Sequence, residues 1–431
     1  MRRSSGPNDF SQNEHMRLLG PRTSALAAAA ASSILLAACG GSGDDDSGDK
    51  GSEGYPGYGG TKPAKLDTGD MDWPLFGRVG QRQHSLEVPD SLNPPLEQKW
   101  SFSDRVLIEF PPAVKDGVAY LADKYGNVRA LSLSDQKVLW DIQKQKHDVG
   151  PPSDTTAPAY YDGRVHVAFQ HGDLVALDAE SGRVDWKKNV QGGIQSSPIV
   201  VDGRLFIGSE EGVVYAFDAA TGKEIWTYRA GTPVKTSPSY DGGVVFFGNY
   251  SGSVFALDAR SGKKKWQTDT TATSPGGSGG FYSSPAVAGG KVYLARNDGI
   301  VYAFDEESGK QAWSFTTAGA IYGSPALEKV PGTPLTVYIG SYDSNLYALN
   351  AATGRKEWDY DVGGPVPGTA TVVGHTVYTS SFKTARSIGV DALSHKETFS
   401  YDSPGYTPMI SDGKNLYLVG YYTLHGFQPA K

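Results

Sequence analysis

Seven tryptophans set the frame of this chain. Trp100, Trp140, Trp186, Trp226, Trp266, Trp313 and Trp358 recur at gaps of 40, 46, 40, 40, 47 and 45 residues, and Phe399 takes the same place 41 residues after the last. Each closes a unit with one grammar. A small residue and a proline open it, as in Ser197-Pro198, Ser237-Pro238, Ser284-Pro285 and Ser324-Pro325. A glycine turn leads to a second strand pattern (RLFIG, VVFFG, KVYLA, TVYIG), and another turn to a third (DLVALD, VVYAFD, SVFALD, IVYAFD, NLYALN). A hairpin of the AATGK type then leads to a fourth strand carrying the tryptophan. Residues 194–226 are the most regular copy. A repeat of this length with strand patterning signals a ring of four-stranded blades, a β-propeller. Composition agrees: 54 glycines and no long 3.6-residue apolar period favour short strands joined by turns over helices.

Counting the units decides how the ring closes. Seven can be followed, ending at Trp140, Trp186, Trp226, Trp266, Trp313, Trp358 and Phe399. After Phe399 come three strand patterns (TPMI, NLYLVGYY, TLHGFQP) without a fourth. Before the first unit, residues 96–102 (LEQKWSF) are a fourth strand without partners. Joining the two completes an eighth blade and hides the sheet edges. The expected fold is all-β: an eight-bladed β-propeller of four-stranded blades over residues 71–431, its last blade closed by an N-terminal strand.

Repetition also sorts structure from site. Asp178, Asp218, Asp258, Asp305 and Asn350 precede the hairpin turns, and Gly182, Gly222, Gly262, Gly309 and Gly354 lie within them. The acids and the asparagine are turn-makers, since a short polar side chain bonds the turn backbone, and the glycines supply positive φ. The tryptophans pack blade on blade. No catalytic nucleophile pattern and no metal-ligand spacing emerges. The stretch 269–280, DTTATSPGGSGG, reads as an inserted surface connection rather than a phosphate loop.

The N-terminal part is of another kind. Residues 16–39 place Arg17 and Arg22 before a short run of small apolar residues at 25–38. That is a secretory signal, too short for a comfortable membrane span. Leu36-Ala37-Ala38-Cys39 resembles the bacterial lipobox, which implies cleavage before Cys39 and lipidation of its thiol. Cys39 is the sole cysteine, so the folded body can hold no disulfide and no thiolate metal site. Met16 makes a better start than Met1. Residues 40–70 are rich in Gly, Ser and Asp and read as a disordered tether with a reach of roughly 30 Å. The net charge of -7 and the lack of a basic patch argue against nucleic acid as a partner.

The text VYAFDAATGKEIW, VFALDARSGKKKW and LYALNAATGRKEW, the SSP openings and the leading segment Asp72-Trp73-Pro74-Leu75-Phe76-Gly77 resemble the pyrroloquinoline quinone (PQQ)-binding-like repeat family, of WD40-like architecture. The resemblance spans residues 72–428 and implies the fold more than the function. One branch comprises quinoprotein dehydrogenases, which hold PQQ and calcium at the propeller axis with an aspartate as base; its alcohol dehydrogenases often carry a disulfide of adjacent cysteines. No residue of this chain matches those ligands or that base position by position. The other branch holds BamB-like lipoproteins of outer-membrane protein assembly, whose layout of lipobox, tether and single propeller this chain shares.

Differences among the copies mark where a site would lie. The residue three before the SSP-type proline faces the axis in each unit: Glu109, Thr155, Gln195, Lys235, Tyr282, Tyr322, Pro367 and Gly405. This mixed set predicts a polar channel mouth, with Phe281, Tyr282 and Tyr322 as an aromatic rim. A calcium–quinone site would want several converging carboxylates or carbonyls. The expectation is therefore an exported, monomeric, lipid-anchored propeller without cofactor or metal. It is held at a membrane through Cys39 and binds envelope proteins, BamB-like if the host has an outer membrane. The alternatives are a PQQ-dependent dehydrogenase and an extracellular small-ligand sensor.

Overall fold

The computed structural model describes residues 72–431 apart from 104–105, 144–152, 271–278, 404 and 407–408. The expected signal segment with Cys39, the tether and most of the 269–280 connection lie outside the described residues. Asp269 itself closes the strand Lys264–Asp269.

Eight sheets form the expected blades. Seven take four consecutive strands each; in the third these are Ile199–Val201, Arg204–Gly208, Val213–Asp218 and Glu224–Arg229. The eighth joins Leu96–Ser103 to Thr423–Pro429 in antiparallel register, with Trp100 opposite Gly426. The N-terminal strand and the C-terminal strand thus share one blade. Among the described residues no helix is long and apolar enough to cross a membrane.

Register explains the composition of each blade. Ala216 stands opposite Phe206 on one side and Trp226 on the other. Its methyl group is small enough for the two rings to meet over it, with centroids 5.7 Å apart. The same arrangement pairs Phe246 with Trp266 over Ala256, and Tyr293 with Trp313 over Ala303. The fourth strands run on past the tryptophan, to Arg229 in the third blade.

The tryptophans also join neighbouring blades. Trp226 Nε1 donates to the carbonyl of Ala259, 3.0 Å away in the next blade, and its indole covers Gly262. Trp140, Trp186 and Trp313 repeat this on Ala179, Ala219 and Ala351, and Trp266 on Glu306. The hairpin acids act as turn-makers: Asp218 Oδ1 accepts from the backbone N–H and the hydroxyl of Thr221. In the degenerate seventh blade His395 replaces the turn glycine, adopts a φ of 59° and stacks on Trp358 at 5.2 Å.

Nearer the axis, serine hydroxyls link blade to blade. The backbone N–H of Ser197 donates to Ser237 Oγ at 2.8 Å, that of Ser237 to Ser284 Oγ at 3.0 Å, and that of Ser284 to Ser324 Oγ at 3.0 Å. Ala157 and Ser324 extend the chain onto Ser197 and Thr369. This gives the second serine of each SSP opening its role. It satisfies a buried N–H that no strand reaches.

The segment after Asp72 lines the inside of the ring. Trp73 exchanges backbone bonds with Val114 of the first blade. Carbonyls of Pro74, Gly80, Gln81, Gln83 and His84 then accept from Tyr160, Tyr240, Val287, Leu327 and Val372, in the second, fourth, fifth, sixth and seventh blades. Ser85–Leu86 adds a parallel strand to the seventh. Arg82, fully buried, donates to the carbonyls of Phe76, Pro238, Ser197 and Pro198. Burial pushes its pKa down to about 9. The carbonyl cradle supplies the hydrogen bonds that a buried guanidinium needs.

Candidate functional site

The six residues expected at the axis, Glu109, Thr155, Gln195, Lys235, Tyr282 and Tyr322, line one cavity of about 450 Å³, together with Pro367. Gly405 is not among its lining residues, although the neighbouring Tyr406 is. The cavity is a cup and not an open channel. Phe76, from the inward-threaded segment, belongs to its lining, and Arg82 ties that segment to the inner strands beneath. The volume lies within the roughly 300–1,000 Å³ usual for small-ligand sites.

One side of the cup is charged. Lys124 Nζ lies 3.2 Å from Glu109 Oε2 and 3.7 Å from Asp154 Oδ2. Burial disfavours the Lys124 ammonium, but the two carboxylates outweigh it and its pKa rises. Next to this group Gln195 is held at both ends of its amide. Its Nε2 donates to Glu210 Oε1 at 2.6 Å and its Oε1 accepts from the Tyr282 hydroxyl at 2.9 Å. Lys235 Nζ is 3.5 Å from the same Glu210 oxygen and lies over the rings of Tyr250 and Tyr282, at 5.1 and 5.9 Å. Burial, with Glu109 nearby, pushes the Tyr282 phenol up to about 12, so it remains a donor at neutral pH. These partly exposed pairs fix geometry more than they stabilise the fold.

The other side is aromatic. Tyr282, Tyr322 and Tyr342 run in edge-to-face contact, with centroids 5.9 and 5.1 Å apart. They are 38, 40 and 42% exposed. Tyr406 completes this wall and packs edge-on against Phe382. Phe281, expected in the rim, is instead buried. Its side chain fills the space left by Gly248, where a Cβ would lie 2.7 Å away, and meets Tyr302 edge-on.

The proline offset marks the inner strands but not Lys124, Gln170, Glu210 and Tyr342, which also belong to the site. Each sits on the turn between the second and third strands, two residues after the small residue that ends the second: Ala122, Ala168, Gly208 and Gly340. That offset was available in the sequence. The two glycines are needed because a Cβ at Gly208 would strike Val234, and one at Gly340 would strike Val366.

The cup's donors do not suit a calcium–quinone pair. Calcium takes six to eight oxygens with converging carboxylates. Here an ammonium stands between Glu109 and Asp154, and a second one contacts Glu210. Among the described residues no group of three or more His, Cys, Asp or Glu is placed to hold a metal ion.

Comparison with known proteins places the ring in a family. The family model described as outer membrane protein assembly factor BamB matches residues 97–199, 186–278 and 276–429. Among curated proteins, BamB of Escherichia coli (strain K12) is 29% identical over 92 residues, 20% of this chain and 24% of that protein. The quinoprotein alcohol dehydrogenase PedH of Pseudomonas putida is 31% identical over 123 residues, 27% of this chain and 21% of that protein. The chain thus spans about a quarter of the length of the curated relatives it matches. Among solved structures, a europium-containing methanol dehydrogenase superposes with a TM-score of 0.69 at 15% identity, covering 83% of this chain and 98% of that one. BamB from Moraxella catarrhalis gives 0.64 at 17% identity, covering 77% and 99%. Both likenesses concern the fold alone. With its repeats matched from residue 97 to residue 429, the chain belongs to the PQQ-like repeat family described by outer membrane protein assembly factor BamB.

Proposed function

We propose that this protein is an exported, lipid-anchored, monomeric propeller that acts without quinone or metal as a binding scaffold of the cell envelope, in the manner of an outer-membrane protein assembly factor where the host has an outer membrane. The observation that carries this reading is the tyrosine-ringed mouth. Tyr342 lines the cup, Tyr125 and Tyr422 line an adjoining hollow with Lys124 and Asp154, and Tyr421 packs on Phe382 and Tyr422; Tyr125, Tyr342, Tyr421 and Tyr422 are 64, 42, 37 and 49% exposed. Large aromatic groups with a polar tip are the residues that anchor protein interfaces. The lysine-paired carboxylates of the cup favour a reading without a calcium–quinone centre. Lipidation at Cys39 and a tether over 40–70 would hold the propeller near the membrane while leaving this mouth free to turn toward a partner.

Reconstitution tests the non-catalytic half of the proposal. Purified protein is incubated with PQQ and Ca²⁺ and assayed for dye-linked oxidation of primary alcohols. The proposal expects no turnover above the free quinone; sustained turnover would overturn it in favour of a dehydrogenase.

A further inference from the structure

The cup has a chemical character that the scaffold role does not require. Its charged groups are all paired within the protein, Lys124 with Glu109 and Asp154, and Lys235 with Glu210. A strongly charged ligand would meet a group of its own sign beside each attractive one, and would have to displace an existing ion pair. A neutral ligand would not. The same groups offer acceptors, donors and an amide that does both, with Gln195 already oriented by Tyr282 and Glu210. Across from them stand the flat, half-exposed faces of Tyr322 and Tyr342. A ligand that fits both sides has one face rich in hydroxyls, which donate and accept, and one face of C–H groups that can lie on an aromatic ring. That description is a pyranose sugar.

We infer that the axial cup binds a neutral saccharide, free or as the terminal unit of a longer glycan. The hydroxyl face bonds the Gln195, Glu109 and Lys235 side, and the C–H face stacks on Tyr322. Fixed polar groups within an aromatic pocket limit the ordering cost of binding. The cavity of about 450 Å³ takes one or two sugar rings and no more. This inference does not rest on the scaffold reading. A protein without an envelope partner could still fill its cup, and a scaffold could leave it empty.

The test is calorimetric titration of the intact protein with cellobiose, maltose and N,N′-diacetylchitobiose, each to about 10 mM, with saturation-transfer NMR as a second readout. At least one should bind with Kd of about 1 mM or tighter. Tyr322→Ala and Gln195→Leu, on opposite sides of the cup, should each weaken that binding about tenfold or more. Their thermal midpoints should stay within about 2 °C of wild type, which excludes misfolding as the cause. Ile225→Ala, on an outer strand, should leave affinity unchanged. Co-sedimentation with insoluble cell-wall glycan separates the two sources. Retention that free disaccharide competes away supports a terminal glycan unit in the cup. Retention that free disaccharide does not disturb, binding unaffected by both cup variants, or no binding by any of the three sugars would each overturn the inference.

Discussion

A Cβ on Gly262 would lie 2.7 Å from the indole of Trp226 in the preceding blade. The glycine also has a φ of 69°, so both steric space and backbone conformation demand it. The same relationship holds between Gly222 and Trp186 and between Gly354 and Trp313, which makes the glycine–indole contact a seam of the ring.

Gly262→Ala should destabilise the propeller by about 1–3 kcal/mol, and Trp226→Ala by about 3–5 kcal/mol. The two effects should not add. With the indole gone, the added methyl meets no ring, and only the backbone cost of about 1 kcal/mol remains. Urea unfolding of the two single variants and the double variant measures this coupling, and strict additivity would show that the contact does not set the seam.

Ser237→Ala removes the hydroxyl that accepts from the buried N–H of Ser197. The orphaned donor should cost about 1–3 kcal/mol. Hydrogen exchange should also speed up at Ser197 before it does at strand-paired amides of the same blade. Ser237→Thr keeps the hydroxyl and should restore protection.

Acid should expose one blade-specific weakness. His166 is buried on Trp186 at the place that Phe206, Phe246 and Tyr293 hold in other blades. Burial lowers its pKa to about 4, against about 6.5 unfolded. Between those values the unfolded chain takes up a proton that the folded one refuses, so stability falls as pH drops from 6.5 to 4 and this contribution levels off below. His84 adds a similar loss extending to about pH 3, driven by burial and then by Arg82. His166→Tyr should match wild type within about 1 kcal/mol at pH 7 and exceed it by on the order of 1–3 kcal/mol at pH 4. The tyrosine hydroxyl can reach the neighbouring carbonyl as Tyr293 reaches Ala351. Parallel unfolding curves for the two proteins across this pH range would contradict the assignment.

Ring closure predicts a further loss. Deleting 424–431 strips Leu96–Ser103 of its partner and opens two sheet edges. The truncated protein should unfold less cooperatively and associate, as seen by sedimentation. A monomer with unchanged midpoint would show that closure is dispensable.

The eight blades and their closure were legible because the tryptophan period and the unpaired LEQKWSF strand survive in the text of the chain. That Glu109, Thr155, Gln195, Lys235, Tyr282 and Tyr322 line one cavity was legible because one offset from a proline recurs. Lys124, Glu210 and Tyr342 were not found because alignment was anchored on the first strand, while they sit on a turn anchored by the small residue ending the second. Phe281 was misplaced because exposure depends on Gly248, from the preceding blade, leaving a hollow for it. The inward threading of Arg82 could not be foreseen. Its partners are carbonyls, and carbonyls carry no sequence signature.

The scaffold proposal is tested most directly by site-specific photo-crosslinking in cells. A benzophenone amino acid is placed at Tyr342, on the mouth, and separately at Ile225, on an outer strand and 42% exposed. The proposal predicts adducts to an outer-membrane β-barrel assembly protein from position 342 and none from 225. Absence of such an adduct from both positions, or equal yield from both, would contradict it.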